Sequence, residues 1–250
     1  MHLSFANKSV VVTAASRGIG HAIALSFAQA GARVAICARG KEGLDAGATE
    51  IARYAAGVHS AVCDIGDEAS VHKFISGAAS ALGGIDVLVN NASGMSKGDD
   101  EDAWFAGISV DVLGTVRATR AAVPFLEKSG SGAIVNISSI RGLTGSARIP
   151  AYAAVKAAVI NYTISEAVAL SNHRIRVNAI APGSIEFPGG VWEKRKFEEP
   201  LAYQATVQRV PFGRLGTVQE VANVALFLAS DLASWVTGQV IAVDGGQMRT

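Results

Sequence analysis

The chain has only two cysteines, Cys37 and Cys63, which share no metal-ligand spacing and form no disulfide framework. Each ends an apolar run, at 33–37 and 58–63, so both are expected as small core residues at strand ends rather than as a redox pair. A charge excess is also missing: 22 basic residues stand against 21 acidic ones, a net charge of +1. Such balance provides no long-range field to draw nucleic acid or an anionic membrane. No stretch approaches the roughly 20 apolar residues needed to span a bilayer. The first eight residues lack a basic segment followed by an apolar run, so no secretory signal is expected and a cytoplasmic setting is the default. None of the five histidines stands at a motif position. The acidic stretch 99–102 precedes a helix whose N-terminus it complements, so no metal is expected. Internal repeats, low-complexity tracts and linkers are absent.

What remains is a 250-residue chain, half of it hydrophobic, long enough for one substantial core. Apolar runs of strand length at 9–13, 33–37, 58–63, 87–90, 133–138, 176–181 and 240–243 alternate with helical patterns. The helices fall at 18–30, 68–82, 102–127, 152–170 and 218–229. Most strands are continuous apolar runs, as expected when both faces are buried. The pattern predicts a single α/β domain over 1–250: a doubly wound, seven-stranded parallel sheet with helices on both faces. Residues 183–216 break the rhythm, with three of the six prolines, five aromatics and no clear strand. A long irregular insertion of this kind is read as a substrate lid over about 184–216.

The first strand runs into Thr13-Ala14-Ala15-Ser16-Arg17-Gly18-Ile19-Gly20 and then a helix. Glycines there let the backbone approach a pyrophosphate at the helix N-terminus. An NAD site usually has a carboxylate at the end of the second strand, for the ribose 2′-hydroxyl. Here that end reads Ile36-Cys37-Ala38-Arg39-Gly40-Lys41. With Arg17 nearby, two guanidinium groups suit a 2′-phosphate, so NADP(H) is expected, with NAD(H) left open. The bland alternative is that Arg39 and Lys41 begin a solvated helix.

Tyr152 and Lys156 are four residues apart on a helix and so share a face. A phenol ionises near pH 10 in water, and an ammonium beside it favours the phenolate. Ser139, at the end of the preceding strand, lies at the carboxyl edge of the sheet where α/β proteins bind ligands.

These motifs, in this order, resemble the short-chain dehydrogenase/reductase family along essentially the whole chain, and its β-ketoacyl-acyl-carrier-protein reductase branch in particular. The resemblance implies that Thr13, Ala15, Ser16, Arg17, Gly18, Ile19 and Gly20 hold the nucleotide, with Arg39. Asp64 and Ile65 flank the adenine, and Asn91 and Ala92 follow from Asn-Asn-Ala. Pro182, Gly183 and Ile185 hold the nicotinamide side, with Tyr152 and Lys156. It implies hydride transfer between nicotinamide and a carbonyl or secondary alcohol carbon, Tyr152 as acid/base, Ser139 hydrogen-bonding the reacting oxygen, and Lys156 tuning the tyrosine. It further implies a homotetramer acting on a small molecule. A non-catalytic dinucleotide sensor, an NAD-dependent alcohol dehydrogenase and a lyase or epimerase are the alternatives.

Four positions depart from the family's pattern. Ala14 replaces a glycine, at a cost of about 1–2 kcal/mol if its φ is positive. Ser93 also replaces a glycine. Phe187 replaces a threonine that often holds the carboxamide and is expected in the substrate pocket. Asp111 replaces an asparagine: either its backbone alone matters, or its carboxylate favours protonated Lys156 and joins the catalytic set. Ser93, Arg141, Phe187 and Trp192 are the expected substrate contacts, with the aromatics suggesting an apolar substrate portion. Lys194-Arg195-Lys196 could meet a phosphate of a coenzyme or carrier protein, although a solvated helix face explains it as well.

Overall fold

The computed structural model describes residues 3–95 and 98–249. Met1 and His2, on which the leader reading partly rests, and Ser96 and Lys97, beyond Ser93, lie outside the described residues.

Seven strands form one parallel sheet: β1 (Ser9–Val12), β2 (Arg33–Ala38), β3 (Gly57–Val62), β4 (Val87–Asn90), β5 (Ala133–Ile137), β6 (Arg176–Pro182) and, last in the chain, β9 (Val240–Val243). Their order is β3-β2-β1-β4-β5-β6-β9. Every residue of β1, β4 and β5 is buried, which explains their largely apolar sequences. The order reverses between β1 and β4, and a crevice opens beyond the strand ends there.

One sheet face is covered by α1 (Gly18–Gln29), α2 (Lys41–Ile51) and α10 (Val218–Ala229), whose Phe27, Leu44 and Leu228 share a core. The other is covered by α3 (Glu68–Leu82), α5 (Gly114–Ser129) and α7 (Pro150–Ala169), with Phe74, Leu126 and Ala167 in a second core. Local chemistry starts these helices. Asp67 accepts from the Ser70 N–H to cap α3, Pro150 opens α7, and Thr217 with Glu220 forms a capping box on α10. Cys37 and Cys63 are both free and buried, as expected of core residues. They are also neighbours. Their thiols hydrogen-bond each other, and burial pushes Cys37 up while that bond lowers Cys63 to about 7.

Two segments differ from the sequence reading. The helix expected over 102–127 is three pieces: α4 (Glu101–Gly107), a π-helical segment (Ile108–Leu113) and α5. The wider π turn brings Asp111 to the inside, where it is 1% exposed. Residues 183–216 are not irregular. They contain the short strand β7 (Ile185–Glu186), α8 (Val191–Glu198), α9 (Pro200–Arg209) and β8 (Gly216–Thr217), with β7 and β8 paired in parallel.

Candidate active site

The nucleotide turn is shaped by backbone conformation. Gly18 has φ +62° and its α-carbon lies so close to the Phe187 ring that a side chain there would collide with it. Ala14 also has positive φ, +52°, so this position is left-handed and the alanine is strained. Asn91 fastens the turn: its backbone N–H donates to Thr13 Oγ1 at 2.9 Å, and its amide donates to the carbonyls of Thr13 at 3.0 Å and Ala14 at 3.1 Å. Asn90 points the other way, into the core. It donates to Thr119 and Asn136, joining β4 to β5 and α5. The two halves of the Asn-Asn pair thus do different work, one for the site and one for the scaffold.

Ser139 lies just beyond β5, and its hydroxyl accepts from the Arg141 N–H at 3.2 Å. The short helix α6 (Arg141–Thr144) follows and lies directly on the backbone of α7. At Gly142 an added β-carbon would come within 2.7 Å of the Lys156 carbonyl carbon, so only glycine permits this approach. Ser138 reinforces it by donating to the Lys156 carbonyl at 2.8 Å. These contacts hold the strand end against the helix bearing Tyr152 and Lys156. The Lys156 ammonium lies 5.7 Å from the Tyr152 ring centroid.

Lys156 is 2% exposed, and its Nζ donates to the Ile137 carbonyl at 3.0 Å. It also pairs with Asp111 Oδ1 at 2.9 Å, while Asp111 Oδ2 accepts from the Gly94 N–H at 2.7 Å. Burial is the largest influence and opposes the ammonium, but the Asp111 carboxylate and Tyr152 together outweigh it and the net shift of Lys156 is upward. Asp111 is therefore not incidental backbone: its carboxylate touches Lys156 directly.

One cavity of about 1030 Å³ contains these groups. Ser139, Tyr152 and Lys156 line it, as do Arg17, Gly18, Ile19, Gly20, Asn91, Pro182, Gly183 and Ile185. The four expected substrate contacts, Ser93, Arg141, Phe187 and Trp192, line it as well. Thr13, Ala15, Ser16, Arg39, Asp64, Ile65 and Ala92 do not, and Asp111 stands behind Lys156 without reaching the cavity. Arg17 donates from Nη1 to the Gly189 carbonyl at 2.9 Å, tying the nucleotide turn to 183–216. Phe187 lies between Gly18 and Gly190. Sequence reasoning missed Arg148, Thr206, Arg209 and Gln247 as lining residues. They come from a loop, α9 and the C-terminal segment, and no local spacing links them.

The chain matches the family model described as enoyl-(acyl carrier protein) reductase over residues 13–248. It belongs to the short-chain dehydrogenase/reductase family. It is 41% identical to a 3-oxoacyl-acyl-carrier-protein reductase of Thermotoga maritima, over 96% of this chain and 97% of that one. It is 39% identical to a cis-4-hydroxycyclohexanecarboxylate dehydrogenase of Sinomonas cyclohexanicum, with 97% of each covered. Among solved structures, the L-sorbose reductase of Gluconobacter frateurii complexed with NADPH and L-sorbose matches with TM-score 0.93 and 30% identity, all of both chains covered. The protein is a nicotinamide-dependent oxidoreductase that transfers hydride at a ketone or alcohol carbon. Among the described residues no helix is long and apolar enough to cross a membrane.

Proposed function

We propose that this enzyme interconverts a ketone and a secondary alcohol with NADP(H) in preference to NAD(H), using Tyr152 as its acid/base. The observation that carries the reading is the single cavity in which Ser139, Tyr152 and Lys156 face the Gly18 turn. A dinucleotide fits the residues present: the left-handed backbone at Gly18 keeps side chains off the turn, and the cavity runs on to Pro182, Gly183 and Ile185. The bound nicotinamide supplies the hydride in reduction and accepts it in oxidation. Tyr152 gives its phenolic proton to the substrate oxygen, or takes it back in the reverse direction. Ser139 donates to that oxygen, a preorganised partner for the charge that develops there. Lys156 keeps a positive charge beside the phenol.

The NADP(H) preference rests on charge. β2 ends at Ala38 and is followed by Arg39, not by a carboxylate, and Arg17 stands in the turn. The NADPH bound to the sorbose reductase is in keeping with this. Thr13, Ala15, Ser16, Asp64, Ile65 and Ala92 are assigned to the cofactor's adenosine half, outside the cavity. Residues 184–216 act as the substrate lid. The enzyme works as a cytoplasmic homotetramer; exposed apolar side chains such as Ile164 and Val168 on α7 and Phe105 on α4 support subunit packing.

The test follows the absorbance of reduced nicotinamide with a panel of ketones and β-ketoacyl thioesters, NADPH and NADH in parallel, with Tyr152→Phe as control. NADPH oxidation that disappears in Tyr152→Phe, and a preference for NADPH that falls in Arg39→Ala, are expected. Equal rates with NADH and NADPH in the unaltered enzyme would remove the cofactor preference.

A further inference from the structure

The cavity carries a charge imbalance that the chain as a whole lacks. Arg17, Arg141, Arg148, Arg195 and Arg209 line it together with Lys156, and no Asp or Glu does so among the described residues. Two of these cations stand away from the substrate end. Lys156 is neutralised from behind by Asp111, and Arg17 belongs to the nucleotide turn. The other four gather at the substrate end.

Arg148 and Arg195 share one carboxylate, Glu199, at 3.8 and 4.0 Å, so two guanidinium groups face a single counter-charge. Arg195 also stacks on Trp192, 5.1 Å from its ring centroid, which holds it at the cavity wall. Its neighbours in the basic run are spent elsewhere: Lys194 pairs with Glu198 and Lys196 with Glu186. Only the middle residue of that run reaches the site.

Arg141 is the key residue. It follows Ser139 by two positions, is only half-buried, and makes no ion pair or side-chain hydrogen bond among the described residues. With Thr144, Arg209 and Gln247 it also lines a second cavity of about 480 Å³. The two cavities share these four residues and Ile140, so the second is an annex of the first. Arg141 meets no carboxylate among the described residues, and Arg148 and Arg195 have one between them, so a bound anion here would gain charge-assisted, two-point hydrogen bonds.

We infer that the ketone or alcohol turned over here carries an anionic group, a carboxylate or a phosphate, held by Arg141 together with Arg209 and Arg195. The inference rests on Tyr152 being the reacting end of the same cavity. It makes Arg141 a specificity determinant, placing the anion on the α6 side of the reacting carbon.

The experiment compares matched substrates in the full-length enzyme with NADPH. Benzoylformate and levulinate are set against their methyl esters, and acetoacetyl-coenzyme A against acetoacetyl-N-acetylcysteamine, which lacks the phosphates. Each is run with the unaltered enzyme, Arg141→Met, Arg141→Lys and Arg209→Met. Binding of phenylacetate and phenylacetamide is measured by calorimetry, which requires no turnover. The expected result is an acid-over-ester ratio of kcat/KM of about tenfold or more, as for a hydrogen-bonded charge. That ratio falls toward one in Arg141→Met and is partly kept in Arg141→Lys. A ratio seen for the oxo acids assigns a free carboxylate, and one seen only for the coenzyme thioester assigns a phosphate. Esters used as well as acids, with phenylacetate binding no better than its amide, would overturn the anion site. Ester turnover that still needs Tyr152 would in that case leave the reductase reading intact. Phenylacetate binding that depends on Arg141, with none of these ketones reduced, would support the anion site and count against these ketones as substrates.

Discussion

Asp111 and Lys156 form an ion pair whose side chains are almost wholly buried. Burial on its own disfavours the ammonium, and the carboxylate together with Tyr152 reverses that balance. Because the lysine's native pKa is raised, its charged form contributes stability in full below the ordinary lysine value. That contribution is lost only as pH climbs through the raised one. In Asp111→Asn the opposing carboxylate is gone, so Lys156 gives up its proton at lower pH. The alkaline limb of a kcat/KM profile is therefore expected to move to lower pH. An unmoved limb would mean that Lys156 owes its charge to other groups. Stability by urea titration at neutral pH should fall by about 3 kcal/mol or more, as when one partner of a buried pair is removed. Ala14 presents the opposite case. With φ at +52° its methyl group is strained, so Ala14→Gly is expected to stabilise the protein by about 1 kcal/mol. In a chain of this size that raises the melting temperature by about 2–4 °C. A lower melting point would show that the methyl group makes compensating contacts.

At the scale of elements, α10 depends on its first turn. Thr217 caps it, and Glu220 returns the bond while pairing with Arg214 at 2.6 Å. The Arg214 hydrogen bonds, followed by those from Thr217, hold the Glu220 carboxyl down at about 2. Its contribution to stability is thus present above the normal carboxylate range and is lost as pH falls toward 2. Thr217→Ala should cost about 1 kcal/mol in thermal or urea unfolding. Glu220→Gln should flatten the acid side of a stability-versus-pH curve; an unchanged acid limb would place the sensitivity in other carboxylates. Elements of this kind were legible in the sequence. The helices at 68–82 and 218–229 match their expected bounds, because each presents a continuous apolar stripe to the sheet. Helices α8 and α9 were not legible, because neither contains a buried residue and a pattern of burial leaves no trace in them. The π turn was hidden for a different reason: a one-residue change of winding leaves hydrophobic spacing almost unaltered. Ser139, Tyr152 and Lys156 could be picked out because their spacing lies within one strand–helix unit. The arginines of the substrate end come from α6, α8, α9 and the loop before α7, and only the fold assembles them.

For the molecule as a whole, part of the uncovered apolar surface lies on α4, α7 and the π-helical segment between α4 and α5. Phe105, Ile108, Leu113, Ile164 and Val168 are all exposed, Val168 to 73%. A monomer would leave them in water, so light scattering at micromolar protein is expected to give a mass well above the 25.7 kDa of one chain. Val168→Glu should shift that mass downward, and a monomeric mass in the unaltered protein would refute the assembly.

Phe187 rests on Gly18, and Arg17 grips Gly189, so 183–216 is latched to the surface that receives the nucleotide. A pyrophosphate settling on that turn competes with both latches. The two ligands are therefore expected not to have independent doors: the dinucleotide should enter first and depart last, with the substrate coming and going in between. Steady-state kinetics should follow a compulsory queue, with oxidised cofactor competing against reduced cofactor alone and the product alcohol competing against neither.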